Sequence, residues 1–390
     1  MSKTPVFLLT MGDPAGIGPE IAVKALCGEA ASRPYRVAVV GDLEILRKAA
    51  AVCGLSPAFK TVDNPDDADD PVAIGNNEVN NNMAVNDNKG INDYNNSVNT
   101  AGNANHPTIN VLDTREIAAP QFTPGKPQAS CGRAAYQYIT KAIDLALEKK
   151  AAGVVTNPIS KESLKLAGID YPGHTEIFAD RCGAPDHSMV FLLDGVAVAH
   201  VTTHVSLRRA IELVTKERVL RQIRLLRRSL RGLGIDPPRM AAAGLNPHAG
   251  EGGLFGDEEI REIAPAVEEA RREGIDIVGP LPPDTVFNRA FKGEFNGVVA
   301  MLHDHGFVAL KSRDFEHGVN ITVGLPIIRT SVGHGTAFDR AWKGNASCAS
   351  LISAMDAALM LNNNNMEGTM PVVMNKEGTR PLRGQPYPTL

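Results

Sequence analysis

Three histidines carry the first sign of chemistry in this 390-residue chain: His174 in Tyr-Pro-Gly-His-Thr-Glu, His204 in Val-Thr-Thr-His-Val and His303 in Met-Leu-His-Asp-His-Gly. Each follows a short apolar run and has small or acidic neighbours. Strands ending at one edge of a sheet would bring the imidazoles together. Three neutral imidazoles suit a borderline divalent ion such as zinc and leave positions open for substrate, the pattern of a catalytic site. Spacing alone leaves a second reading open, three unrelated polar residues at loop mouths, because distant histidines are weak evidence for a metal.

Other polar clusters stand at comparable places. Asn157-Pro-Ile-Ser160-Lys161 follows an apolar strand, so Ser160 and Lys161 lie where ligands of open α/β sheets bind; a helix N-cap serine beside a surface lysine is the plainer account. His303-Asp304-His305-Gly306, with Lys311, Asn320 and Arg329 downstream, is the densest cluster. An aspartate beside a ligand histidine orients it or joins the metal shell, and lysine with arginine argues for a phosphate or carboxylate substrate. Gly12-Asp-Pro-Ala-Gly-Ile-Gly-Pro-Glu20 lies between strand and helix but lacks the GxGxxG spacing, so it reads equally as a tight turn or a ligand loop. Asn246-Pro-His248-Ala-Gly-Glu-Gly-Gly is a glycine-rich loop whose amides are free to approach an anion.

The elements that must position these residues alternate. Strands are expected at Val6–Thr10, Arg36–Gly41, Thr108–Leu112, Gly153–Thr156, Met240–Gly244 and Gly297–Leu302. Helices are expected at Glu20–Leu26, Leu43–Cys53, Gly132–Lys149, Lys216–Leu233, Asp257–Glu273 and about Ser347–Met360. Met189–Leu193 and Val196–Thr202 read as strands joined by a turn at Asp194-Gly195. The rhythm implies an α/β protein with a mostly parallel, covered sheet. It breaks between Asn76 and Asn105, where 13 of 30 residues are Asn, too little apolar surface to offset ordering entropy, so this stretch is expected to be a disordered excursion. A second Asn run opens a loose tail over 362–390.

Composition excludes several classes. A net charge of -4 leaves no basic footprint for nucleic acid, and Arg221–Arg231 reads as the solvated face of an amphipathic helix. Five cysteines without a CxxC pair fit a reducing compartment. No apolar run approaches the ~20 residues that span a bilayer, and no signal-like segment opens the chain, so the expectation is a soluble, cytoplasmic protein.

With those residues in view, the chain resembles the 4-hydroxythreonine-4-phosphate dehydrogenase family of pyridoxal phosphate biosynthesis. The matching stretches are TMGDPAGIGPE, YPGHTE, VTTH, GLNPHAGEGG, HDHG, GVNIT, GLPIIRTS and HGTAFD, in order along nearly the whole chain. The resemblance implies an isocitrate/isopropylmalate dehydrogenase-like fold of two α/β/α domains with a cleft between them, one formed by 1–135 plus 321–361 and the other by 136–320. It implies a homodimer with shared active sites. It implies that His174, His204 and His303 hold one divalent metal (zinc, cobalt, manganese or magnesium), and that Ser160, Lys161, Lys311, Asn320 and Arg329 bind a small phosphorylated four-carbon substrate. His334, Gly335, Thr336 and Asp339 look like the NAD or NADP loop, and Asp304 and Lys161 are the candidates for moving a proton.

The reaction implied is oxidation of 4-(phosphooxy)-L-threonine at C3 by NAD(P), followed by decarboxylation to 3-amino-2-oxopropyl phosphate. Two departures bear on the substrate: Ser160 stands where better-known members carry histidine, and His305 where they carry glutamine. A sister group, resembled through GLFGDEE and AWKG, oxidises D-threonate or D-erythronate 4-phosphate. A metal-dependent hydrolase and a non-catalytic metabolite-binding protein remain as other classes.

Overall fold

A computed structural model describes residues 4–70, 107–117 and 121–364; the Asn-rich stretch 76–105 and residues 365–390 of the expected tail lie outside them. The first half alternates as expected: β1 (Val6–Thr10), α1 (Gly18–Cys27), β2 (Arg36–Gly41) and α2 (Leu43–Val52). β3 (Ala58–Thr61), β4 (Thr108–Asp113), α3 (Ala129–Leu147) and β5 (Gly153–Thr156) complete it. Two short helices, α4 (Lys161–Leu166) and α5 (His174–Cys182), lead to the hairpin β6 (Ser188–Leu193) and β7 (Val196–His200). Then come α6 (Leu207–Leu213), α7 (Lys216–Gly232), β8 (Met240–Ala243), α8 (Ala264–Arg272) and β9 (Ile277–Leu281). The chain closes with α9 (Pro283–Phe291), β10 (Gly297–Ala300), α10 (His303–Arg313), β11 (Val319–Val323), β12 (Ile328–Val332) and α11 (Ala349–Asn363). Asn362 and Asn363 thus extend α11 instead of opening the tail.

Among the described residues twelve strands form one sheet in the order β3-β4-β2-β1-β5-β12-β11-β6-β7-β10-β8-β9. The VFLLT and RVAVVG strands are buried throughout, as strands covered on both faces must be. Pairing is parallel in the wing β3 to β12 and again from β7 to β9. Between them β12–β11, β11–β6 and β6–β7 are antiparallel. Three reversals in succession make the parallel strands of the second wing run opposite to those of the first. β5 pairs with β1, and α3 packs on β1 and β2, so the chain to Thr156 belongs to the first wing and the boundary expected at 136 falls inside α3.

Local chemistry accounts for the details. Asp194 and Gly195, at φ 48° and 74°, make the two-residue hairpin between β6 and β7. The helix expected over 257–273 is interrupted: Glu259–Ile263 is a π-turn and α8 starts at Ala264. Pro265 has no N–H to donate, and the buried Glu259 carboxylate is turned back onto the amides of Leu245 and Asn246, both at 2.7 Å. Among the described residues no helix is long and apolar enough to cross a membrane.

Candidate active site

Arg329 is the centre of one half of the site. Lateral pairing aligns Thr10, Thr156, Ser331 and Asn320 in a row across β1, β5, β12 and β11. Laterally paired side chains share a face, and Arg329, two residues before Ser331, shares it too. Its guanidinium is 3% exposed and donates to the hydroxyls of Thr322 and Thr156, each at 2.8 Å. Nε has no partner, and the Phe178 ring of α5 covers the group at 5.4 Å. Burial pushes this arginine down to about 9, opposed by the Glu176 carboxylate. A buried cation held by two neutral hydroxyls is poorly compensated and suits an incoming anion. His174, at the first turn of α5, has a sealed Nε2 without a hydrogen-bond partner, and burial and then the Arg329 charge hold it well below the ordinary histidine range. Of the other expected anion contacts, Asn320 donates to the Val332 carbonyl at 3.2 Å and leaves Oδ1 free.

The second half lies where β7 and β10 end. His204 and His303 stand with ring centroids 5.7 Å apart. Two imidazoles bonded to one ion at about 2.0–2.1 Å hold their centroids roughly 5 Å apart, so this pair fits a shared cation. His303 Nδ1 donates to Asp304 Oδ1 at 2.8 Å, since a carboxylate can only accept, and the Nε2 lone pair is left for an ion. Burial first, then the Lys161 ammonium and His303, lower the proton affinity of His204 and keep it a neutral donor. A cavity of about 160 Å³ opens beside the pair, lined by Thr203, Val205, Leu207, Ala210 and Leu302 among others.

The meeting of three strand ends expected from sequence is not what brings these residues to their places. His204 and His303 follow neighbouring strands of one wing, whereas His174 opens a helix packed on α3 of the other. Because the wings run in opposite senses, the three do not share a strand edge, and among the described residues no three His, Cys, Asp or Glu side chains gather closely enough to hold an ion.

The remaining candidates divide. Ser160 is buried as the N-cap of α4, accepting from Ser163 N at 3.0 Å, and Lys161 is exposed at the first position of that helix. Lys311 is exposed on α10, with Nζ over Phe307 at 5.2 Å and Phe315 at 5.9 Å. In the expected cofactor loop, His334 Nδ1 donates to the Gly335 carbonyl at 3.0 Å while Nε2 is sealed without a partner. A side chain added at Gly335 would meet nothing, and the Asp339 side chain is exposed, so this loop presents an open polar face suited to a ribose and phosphates. The Gly12–Glu20 stretch is a tight turn packed against that loop, where a Cβ at Gly16 would sit 3.0 Å from Thr336 Cβ, and against the 157–158 segment, where a Cβ at Gly12 (φ 81°) would sit 2.6 Å from the Pro158 carbonyl.

Sequence reasoning missed His200. It is 3% exposed at the end of β7, with neither ring nitrogen partnered. Its ring stacks on Phe307 at 4.6 Å, and Phe307 in turn lies 4.5 Å from His303. Burial drives it down to about 3. Its one signal is a histidine closing the apolar run VAVAH.

Comparison with known proteins bears on this geometry. The sequence profile of the family described as "Pyridoxal phosphate biosynthetic protein PdxA" matches residues 35–358. A protein of Fusobacterium nucleatum named "Putative D-threonate 4-phosphate dehydrogenase" is 40% identical over 350 residues, covering 90% of this chain and 95% of its own. One of the same name from Symbiobacterium thermophilum is 40% identical over 355 residues, covering 91% and 96%. The crystal structure of 4-hydroxythreonine-4-phosphate dehydrogenase from Klebsiella pneumoniae superposes with TM-score 0.75 at 40% identity, over 92% of this chain and 99% of that one. A terephthalate 1,2-cis-dihydrodiol dehydrogenase from Burkholderia xenovorans gives 0.58 at 27%, over 92% and 98%. The expected α/β, isocitrate/isopropylmalate dehydrogenase-like class is thereby the class found.

Proposed function

Because the chain belongs to the PdxA family of pyridoxal phosphate biosynthetic proteins, we propose that it is a metal-dependent, NAD(P)-linked dehydrogenase of a four-carbon 4-phosphate. D-Threonate 4-phosphate is the first substrate and 4-(phosphooxy)-L-threonine the second, the reverse of the order the family resemblance implied. The names of the relatives at 40% identity favour the acid sugar, and the Klebsiella structure's name favours the amino acid. Ser160 supports the first order, because its hydroxyl is committed to capping α4 and offers no ring nitrogen to a substrate amine.

The observation that carries the reading is Arg329, a buried guanidinium with a free Nε beside the neutral imidazole of His174. It receives the substrate's phosphate, with Lys311 and the free Oδ1 of Asn320 orienting the rest. His204 and His303 hold the cation, and His174 of a second copy in a homodimer completes the set. A divalent ion bound there would supply Lewis acidity towards a substrate hydroxyl and the negative charge that develops beside it. Asp304 fixes His303 in the tautomer that leaves Nε2 free, and Lys161, beside His204, takes or returns the proton. The loop 334–339 would hold NAD or NADP, which would supply the hydride acceptor.

The test is NAD(P) reduction with D-threonate 4-phosphate, D-erythronate 4-phosphate and 4-(phosphooxy)-L-threonine side by side, with metal supplied. Preference for the amino-acid phosphate reverses the substrate order. Turnover of none, or turnover without NAD(P), removes the dehydrogenase reading.

A further inference from the structure

The fully buried carboxylate of Glu20 serves no substrate. It lies on α1, where its two oxygens accept the backbone amides of Trp342 and Gly344, each at 2.5 Å. One turn further along the same face, Lys24 Nζ donates to the Ala346 carbonyl at 2.9 Å. The preceding turn joins in, with Ile17 N donating to the Thr336 carbonyl at 3.1 Å and Pro14 O accepting from the Trp342 indole at 3.0 Å. The indole ring lies against Phe122 at 5.5 Å, with Lys48 Nζ 5.2 Å above it.

The segment held this way is strained. Ala337 and Trp342 have φ of 42° and 63°, left-handed values that cost a residue with a Cβ and persist only where surroundings impose them. Left to itself the loop would relax. We propose that Glu20 is a positioning residue for the dinucleotide: with Lys24 and the Pro14–Ile17 turn it latches residues 336–346 so that the 334–339 face is preformed before NAD(P) arrives. The inference rests on reading 334–339 as the dinucleotide loop.

Trp342 is the chain's one tryptophan, so its fluorescence reports the latch without any contribution from turnover. Glu20→Gln keeps the side chain's size but turns an amide towards two N–H donors. In the apo protein the variant's Trp342 emission should move to the red and its acrylamide quenching rise. KM for NAD or NADP should increase about tenfold, as when the competent loop falls to roughly a tenth of the population, with kcat within about twofold. Unchanged emission and KM in a folded variant overturn the latch.

Energy transfer from Trp342 to NADH or NADPH in the unsubstituted protein separates the two readings. Its absence at saturating dinucleotide removes the loop assignment itself; its presence with an unaffected Glu20→Gln removes only the latch. If Glu20→Gln does not fold, Trp342→Phe loses the indole bond to Pro14 and part of the ring's packing on Phe122 and Lys48 while keeping the backbone amide that Glu20 accepts, and titration by NAD(P)H emission should show weaker binding. Equal affinity there counts against the proposal.

Discussion

His204 and His303 face each other across the ends of β7 and β10 with centroids 5.7 Å apart, and His303 is braced from behind by Asp304 at 2.8 Å and by the Phe307 ring at 4.5 Å. Two of the three expected ligands are therefore set by one wing of the sheet. The third, His174, is set by the other wing beside Arg329.

If each ion is shared between copies, two inactive variants should complement. His174→Ala and His303→Ala should each lower NAD(P) reduction by about a thousandfold, the scale of several kcal/mol of Lewis-acid stabilisation. After mixing and subunit exchange, half the dimers are mixed and each has one intact site, so activity should return to about a quarter of the original. Ligands drawn from a single chain would leave both sites of the mixed dimer damaged and the mixture inactive.

Arg329→Met should separate stability from binding. Removing a buried cation held only by two hydroxyls relieves a desolvation cost of several kcal/mol and leaves two hydroxyls without a donor, so the apo Tm should hold or rise, by about 1 °C for each kcal/mol gained in a chain of this length. Inorganic phosphate or a 4-phosphate substrate should raise the Tm of the unsubstituted protein and leave that of the variant unmoved. A large drop in the apo Tm would mean that Arg329 is structural.

His200 fixes the sign of one pH dependence. Its folded value, about 3, lies below the ordinary 6.5, so the unfolded chain binds the extra proton between those limits. Stability is undiminished above pH 6.5 and is lost as pH falls towards 3. Relative to the unsubstituted protein, His200→Leu should gain about 2 kcal/mol between pH 7.5 and pH 5. Denaturant midpoints at the two pH values measure it, and a constant difference would mean that the ring is not held neutral.

Much of this was legible in the residues. Continuous apolar runs such as VFLLT and RVAVVG located the buried strands, and Asp194-Gly195 the hairpin, because backbone chemistry decides those locally. α10 was not legible: HDHGFVALKSR buries only Gly306, Phe307 and Leu310, too few for a helical stripe, so no helix was expected after the strand ending at Leu302. The reversal between wings was equally hidden, since it depends on β11 pairing with β6, more than a hundred residues earlier in the chain. The latching role of the Gly12–Glu20 turn was missed because Glu20 meets its partners more than 300 residues later.

Gly306 offers the sharpest test of how His303 is aimed. A Cβ there would sit 2.2 Å from His200 Nε2 and 3.0 Å from Val198 Cγ1, so Gly306→Ala must push the first turn of α10 away from β7. Overpacking of this kind costs about 1–3 kcal/mol, and a shift of about 1 Å at a ligand is enough to lower activity roughly a hundredfold. Combining it with His200→Ala empties the space the new methyl needs. The double variant should regain most of the lost activity while remaining less stable than the unsubstituted protein, because Phe307 loses its stacking partner. Full activity in Gly306→Ala alone, or no recovery in the double variant, would show that His303 is aimed by something other than the packing of α10 on His200.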